Sequence, residues 1–148
     1  MTTIEEQIET AMKNAFFELI DDNVNSKEPD FKWITRLYEE IKIKLLSFLP
    51  NKNGKSYIQL DTDFDVVLFS QMIENDVFNQ ESMLKLINNT FEWILKLEAP
   101  IRDKDTIEAK NRVLCSEPTK IISTYLKEVH TCIEQMENDI IALQKEVS

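Results

Sequence analysis

The apolar positions of this chain recur mostly at intervals of three and four residues, which is the spacing of one face of an α-helix. The first such stripe predicts a helix over residues 3–23, and its first turn offers capping residues in reciprocal positions: Thr2, Thr3, Glu5 and Glu6. A second helix is predicted from Asp30 to the break at Pro50, and a short one over residues 56–60.

Later stretches show the same period between polar caps. They predict four helices: Asp61 to Glu74, Gln80 to Leu97 after a cap at Asn79, Asp105 to about Leu114, and Ser116 to Val147. The expected inward residues of the first two are Phe64, Leu68 and Met72, and then Leu84, Ile87, Phe91, Ile94 and Leu95. Without the short segment at residues 56–60, the predicted fold is an all-α bundle of five to six helices with a long C-terminal helix. We expect residues 1–148 to form a single domain.

The last predicted helix carries an uninterrupted heptad seam: Ile122, Leu126, Val129, Ile133, Met136, Ile140, Leu143 and Val147. Such a seam is typical both of a coiled-coil dimer and of a helix packed inside a bundle. We favour the bundle for its first half. The second half is the candidate for self-association in a homodimer, through Ile133, Met136, Ile140, Leu143 and Val147.

Glycine is almost absent, because Gly54 is the only one in 148 residues. Phosphate-binding loops and nucleophile elbows need glycine for positive φ angles and close backbone approach. The chain therefore lacks the sequence of a P-loop or a dinucleotide fingerprint, and hairpin-rich sheet folds are disfavoured.

The net charge of −10 disfavours broad binding of nucleic acid or an anionic membrane. Residues 31–60 nevertheless carry +4, whereas residues 1–30 and 61–103 each carry −6. This basic segment is either a solvated helix surface or a partner-binding surface that includes Lys32, Arg36, Lys42 and Lys44. Two cysteines, no signal sequence and no long apolar run predict a reduced, cytoplasmic protein.

Catalytic chemistry is hard to assemble from this sequence. His130 is the only histidine, and no nucleophile with a matching acid accompanies it. Residues 61–65 resemble the start of a calcium loop, but Val66 and Met72 stand where that loop needs glycine and glutamate. We therefore expect neither an enzyme nor a cofactor or metal site.

Several segments resemble the T-complex protein 11 family. Residues 37–50, LYEEIKIKLLSFLP, are similar to its L-x-E-I-K-x-x-L-L-S-L-L-P helix, and residues 98–103, EAPIRD, to its C-A-P-V-R-D corner. Between them, Leu60, Asp61 and Gln71 match its L-D-x-x-L-I-x-Q segment. Residues 15–17 and 136–139 resemble its A-F-W and M-K-x-D-M segments. The chain is identified as similar to the N-terminal part of these longer proteins.

The resemblance implies a non-enzymatic helical protein linked to cyclic-AMP and protein kinase A signalling. Our first hypothesis is a helical module that binds an unidentified protein, with Glu40, Arg102, Asp103, Lys32 and Arg36 as candidate contacts. We also expect Arg102 either to satisfy exposed carbonyls at the end of the preceding helix or to pair with an acid such as Glu40, and so to fix how two helices dock. The alternative is a scaffold or virion protein that assembles through its last helix. Abundant Asn, Lys and Ile suit an AT-rich genome, such as that of a parasite or large virus.

Overall fold

The computed structural model describes residues 3–8, 11, 18, 22, 32–50, 52–74, 80–117 and 119–147, without the side chains of Trp33 and Val147. From residue 32 onward the described residues form six helices and no strand. They are α1 (Lys32–Ser47), α2 (Lys55–Asp63), α3 (Val66–Glu74), α4 (Gln80–Leu97), α5 (Asp103–Leu114) and α6 (Ile121–Val147), with a 3₁₀ turn at Pro100–Arg102. The all-α prediction with a long last helix is confirmed.

Most of the predicted first helix lies outside the described residues. Residues 4–8 are helical, and the predicted capping box is present at their start. Thr3 Oγ1 accepts the backbone N–H of Glu6, and Glu6 Oε2 accepts that of Thr3, both at 3.1 Å. The predicted cap at Asn79 is also outside the described residues.

The helix predicted from Asp61 to Glu74 is wrong, because the chain breaks at Phe64. Asp63 ends α2, and the Asp65 carboxylate then accepts the N–H of Leu68 at 3.0 Å, so Asp65 caps α3 in place of Asp61. The break inserts Phe64 into the core and changes the register that follows. Phe69 and Ile73 are therefore buried, whereas Leu68 is 51% exposed and Met72 is half-buried.

Two other predicted starts are corrected. The 3₁₀ turn runs directly into α5 at Asp103, so this helix begins two residues before the predicted start at Asp105. The last helix begins at Ile121 and not at Ser116, because the Ser116 hydroxyl donates to the carbonyl of Val113 at 2.6 Å and closes the preceding helix. Helix α4 has the predicted bounds, but Leu84 is 41% exposed.

The core lies where α1, α4 and α6 meet, with α5 packed against α4 and α6 and with α2 and α3 packed against α1. Each central helix contributes an apolar stripe; fully buried members are Ile34, Ile41, Leu45, Ile87, Phe91, Ile94, Val129 and Ile133. Tyr38 stacks on Phe69 with ring centroids 4.1 Å apart, which fixes α3 against α1. The buried hydroxyls of Thr90 and Tyr125 bond at 2.8 Å and join α4 to α6.

Candidate interaction site

The turn between α4 and α5 is held against α6 by one arginine. The Arg102 guanidinium donates from Nε to Asp139 Oδ2 at 3.1 Å and from Nη2 to Oδ1 at 2.9 Å. Both side chains are about one-third exposed, at 33% and 28%. Their bond raises the pKa of Arg102 and lowers that of Asp139. The arrangement is a two-point clamp between the turn and α6.

The expected partner of Arg102 was wrong: it is Asp139 and not Glu40. Because α6 packs along α5 and passes the start of that helix, its later turns come to lie beside the 3₁₀ turn. Glu40 lies exposed on α1. Nothing in the spacing of single segments indicates which acid an arginine meets, because that depends on how the helices pack.

A cleft of about 140 Å³ opens between α5 and α6 next to this clamp. At its far side Arg112 bonds to both oxygens of Glu128 at 2.9 and 3.0 Å. Near the turn, the Thr106 hydroxyl donates to Glu98 Oε1. Cys132 lies on the α6 wall, where burial chiefly raises its pKa to about 11, so its thiol is a poor nucleophile at neutral pH.

The candidate contact residues do not form one cluster. Lys32, Arg36 and Glu40 are exposed and follow one another at four-residue intervals on α1. The other two candidates, Arg102 and Asp103, belong to the turn described above.

Two lysines of the basic segment pair with acids within the fold. Lys42 lies 3.0 Å from Asp61, and Lys44 lies 3.6 Å from Glu137. That part of the basic segment therefore helps to connect helices.

The predicted self-association stripe divides in two. Ile133 and Met136 are buried at 0% and 4% exposure inside the monomer, so they are not available to a second copy. Ile140 and Leu143 are 41% and 60% exposed. The side chain of Val147 lies outside those described.

The acidic run at residues 61–65 is used by the fold. Asp61 pairs with Lys42, Asp63 accepts Trp93 Nε1–H at 2.8 Å, and Asp65 caps α3. Among the described residues, no group of His, Cys, Asp and Glu side chains could hold a metal ion. Both cysteines are unbridged, and His130 is half-buried on α6.

The family model of T-complex protein 11 matches residues 2–144. The chain belongs to the T-complex protein 11 family. The T-complex protein 11 homolog of Homo sapiens is 24% identical over 110 residues, covering 74% of this chain and 21% of the human protein. T-complex protein 11 of Mus musculus is 24% identical over 140 residues, covering 95% and 23%. The chain thus spans about a fifth of the length of these curated relatives, and no solved structure matches it.

Several of the segments that resemble T-complex protein 11 contact one another in the structure. The Arg102–Asp139 clamp connects the corner at residues 98–103 to residues 136–139. Lys42 connects the 37–50 helix to Asp61, and Lys44 connects it to Glu137. The sequence therefore contained a usable signal for Asp139, since it lies in a segment that had been singled out. Nothing in the sequence indicated the meeting of Glu98 and Thr106.

Proposed function

We propose that residues 1–148 form one non-enzymatic helical domain that binds a protein partner through the exposed end of α6. The observation that carries this proposal is the continuation of the apolar seam beyond the bundle. Ile140 and Leu143, which follow Met136 in this seam, are 41% and 60% exposed within one turn of α6, and Ile141 beside Ile140 is 49% exposed. Exposed apolar side chains that cluster in this way are typical of interaction surfaces.

The neighbouring turn also carries an exposed apolar residue. Ile101 is 85% exposed, and it directly precedes Arg102, whose guanidinium holds Asp139 one residue before Ile140. Exposed apolar groups therefore occur on both segments that the clamp joins. Burial of such groups contributes about 25 cal/mol per Å², against which the cost of association must be set.

Charge favours one kind of occupant. Glu134 and Glu146 are exposed on this part of α6 together with Lys145, and Glu137 is exposed although it pairs with Lys44, in a chain with a net charge of −10. A second copy would bring the same acids into contact. An amphipathic helix with an apolar face flanked by basic residues complements this surface better. Membership of the family supports a helical protein-interaction role, and the family resemblance alone supports a place in cyclic-AMP and protein kinase A signalling.

The test uses a synthetic helix of about 18 residues, long enough to be helical, with leucine on one face and lysine on the other. Its binding is measured by fluorescence anisotropy for the parent, for Ile140→Asp and for Ile58→Asp. Ile58 is a matched control, because it is an isoleucine of 56% exposure on α2. We expect Ile140→Asp to weaken binding at least about tenfold, roughly 1.4 kcal/mol, and Ile58→Asp to leave it unchanged. Equal binding by all three proteins would refute the proposed surface.

Light scattering on the same proteins tests the alternative, a scaffold that assembles through α6. A dimeric parent at tens of micromolar that becomes monomeric in Ile140→Asp would favour self-assembly. A monomeric parent would exclude the homodimer and leave the exposed end to a different partner.

A further inference from the structure

The turn between α4 and α5 brings two carboxyl groups together. Glu98 follows the last residue of α4, and Asp103 is the first residue of α5. One oxygen of each is buried without a hydrogen-bond donor among the described residues: Glu98 Oε2 and Asp103 Oδ1. The other Glu98 oxygen accepts the Thr106 hydroxyl, so the orientation of this carboxyl group is fixed.

Two buried carboxylate oxygens without a donor, at either end of one short turn, are unfavourable, because each loses its water and both carry negative charge. One proton held between them satisfies both oxygens. Burial is the main cause that raises the pKa of Glu98 to about 7. The hydrogen bond from Thr106 lowers this pKa, whereas the hydrogen bond and the charge of Asp103 raise it further. The two buried oxygens and the raised pKa of Glu98 thus point to one protonated carboxyl group at this turn.

The charged groups around the pair are already engaged. Arg102, which lies between Glu98 and Asp103 in the chain, directs its guanidinium to Asp139 on α6. The other ionisable residues that line the neighbouring cleft are Asp105 and Arg112 on α5 and Glu128 and Cys132 on α6. Of these, Arg112 and Glu128 bond to each other. An ionised Glu98 would therefore compete with Asp139 for the guanidinium of Arg102.

We propose that Glu98 and Asp103 share one proton, and that its loss weakens the docking of the Pro100–Arg102 turn onto α6. Because the pKa of Glu98 is raised in the folded state, its contribution to stability is complete below its unfolded pKa of about 4.3 and is lost as the pH rises through about 7. This inference does not depend on the proposed partner.

The first experiment is a carbon-detected nuclear magnetic resonance titration of the full chain, following the side-chain carboxyl of Glu98. We expect a midpoint near pH 7, and a displacement of the Arg102 Nε–H resonance with the same midpoint. In Asp103→Asn the amide can donate to Glu98 and the neighbouring charge is gone, so the midpoint should fall by at least about one unit. A midpoint near the ordinary glutamate value of about 4.3 in the parent would overturn the proposal.

The second experiment compares urea unfolding of the parent and Glu98→Gln between pH 5 and 8. Glutamine keeps the shape and supplies an N–H to Asp103, so this variant should fold and lack the loss of stability that the parent shows as the pH rises. Glu92→Gln, at an exposed site on α4, should follow the parent. Parallel pH profiles for the parent and Glu98→Gln would show that no shared proton stabilises the turn.

Discussion

The two halves of α6 have the same apolar period but different surroundings. From Leu126 to Met136 the seam residues are buried, whereas Ile140 and Leu143 are 41% and 60% exposed. The reason is length. Helix α6 has 27 residues and extends about 40 Å, whereas α4, the longest of the other described helices, has 18 residues and extends about 27 Å. Periodicity therefore identifies the apolar face of a helix, and the neighbouring helices determine how much of that face is covered.

The largest expected loss of stability comes from comparing the same substitution at two isoleucines, one in each half of α6. Ile133 and Ile140 occupy the same seam position one heptad apart, at 0% and 41% exposure. Ile133→Ala should lower the free energy of unfolding by about 2–5 kcal/mol, because it leaves a cavity among α1, α4 and α6. Ile140→Ala should cost less than about 1 kcal/mol in urea unfolding, since its neighbours can relax into solvent. Similar losses at both sites would remove the distinction between the halves.

Much of the fold could be predicted from sequence, because capped amphipathic segments specify helices locally. Helix α4 and the break after α1 were predicted with nearly their observed bounds. The predictions failed where contacts between helices determine where a helix begins and which of its residues are buried. Asp65 and not Asp61 caps α3 because Asp61 pairs with Lys42 on another helix, and Asp63 is held by Trp93. Burial of Phe64 then fixed a register that periodicity alone could not specify.

The clamp lies at the boundary between the covered and uncovered halves of α6. Arg102→Ala should destabilise the protein less than Ile133→Ala, since the pair is part-exposed, and should loosen the turn against α6. The Arg102 pair lowers the pKa of Asp139, so its contribution is present above the unfolded pKa of about 3.9 and is lost as the pH falls through the folded pKa. In urea unfolding at several pH values, the difference between parent and Arg102→Ala should shrink in acid.

A double-mutant cycle with Asp139→Asn checks that the effect belongs to this pair, because coupled residues show non-additive losses. Arg112→Ala, which removes the more exposed guanidinium of the neighbouring pair, is the control. An additive cycle would mean that Arg102 and Asp139 do not stabilise each other. An Arg102→Ala protein that unfolds like the parent but binds the lysine–leucine helix more weakly would make Arg102 a partner contact.

The candidate site was less predictable than the fold, because its residues come from segments far apart in the chain. The sequence indicated that Arg102 fixes helix docking, but its acid lies 37 residues away. Glu98 was noticed only as part of a resembling segment. Its protonation depends on burial next to Asp103, which is a property of the folded turn and not of the local sequence.

A smaller effect is expected within the covered half. The Tyr125 hydroxyl bonds to Thr90, which also donates to the carbonyl of Leu86 at 2.8 Å. In Tyr125→Phe the threonine keeps its bond to Leu86, so the loss should be about 1 kcal/mol in urea unfolding. Thr90→Val, which leaves the buried tyrosine hydroxyl without its partner, should cost more than Tyr125→Phe. A larger loss for Tyr125→Phe than for Thr90→Val would mean that the threonine hydroxyl, and not the tyrosine hydroxyl, is the group left without a partner when this hydrogen bond is removed.

The smallest effect is expected at the uncovered end. Leu143 is 60% exposed, and alanine is as good a helix former as leucine, so Leu143→Ala should change the free energy of unfolding by less than about 0.5 kcal/mol. Amide hydrogen exchange should show the same contrast, with residues 140–146 exchanging faster than residues 125–133, because few contacts hold the last turns. A loss above about 1 kcal/mol, or equal protection of both halves, would mean that Leu143 is covered in solution. The unfolding midpoint measured at two protein concentrations then separates the causes, since stabilisation by a second copy depends on concentration and stabilisation within one chain does not.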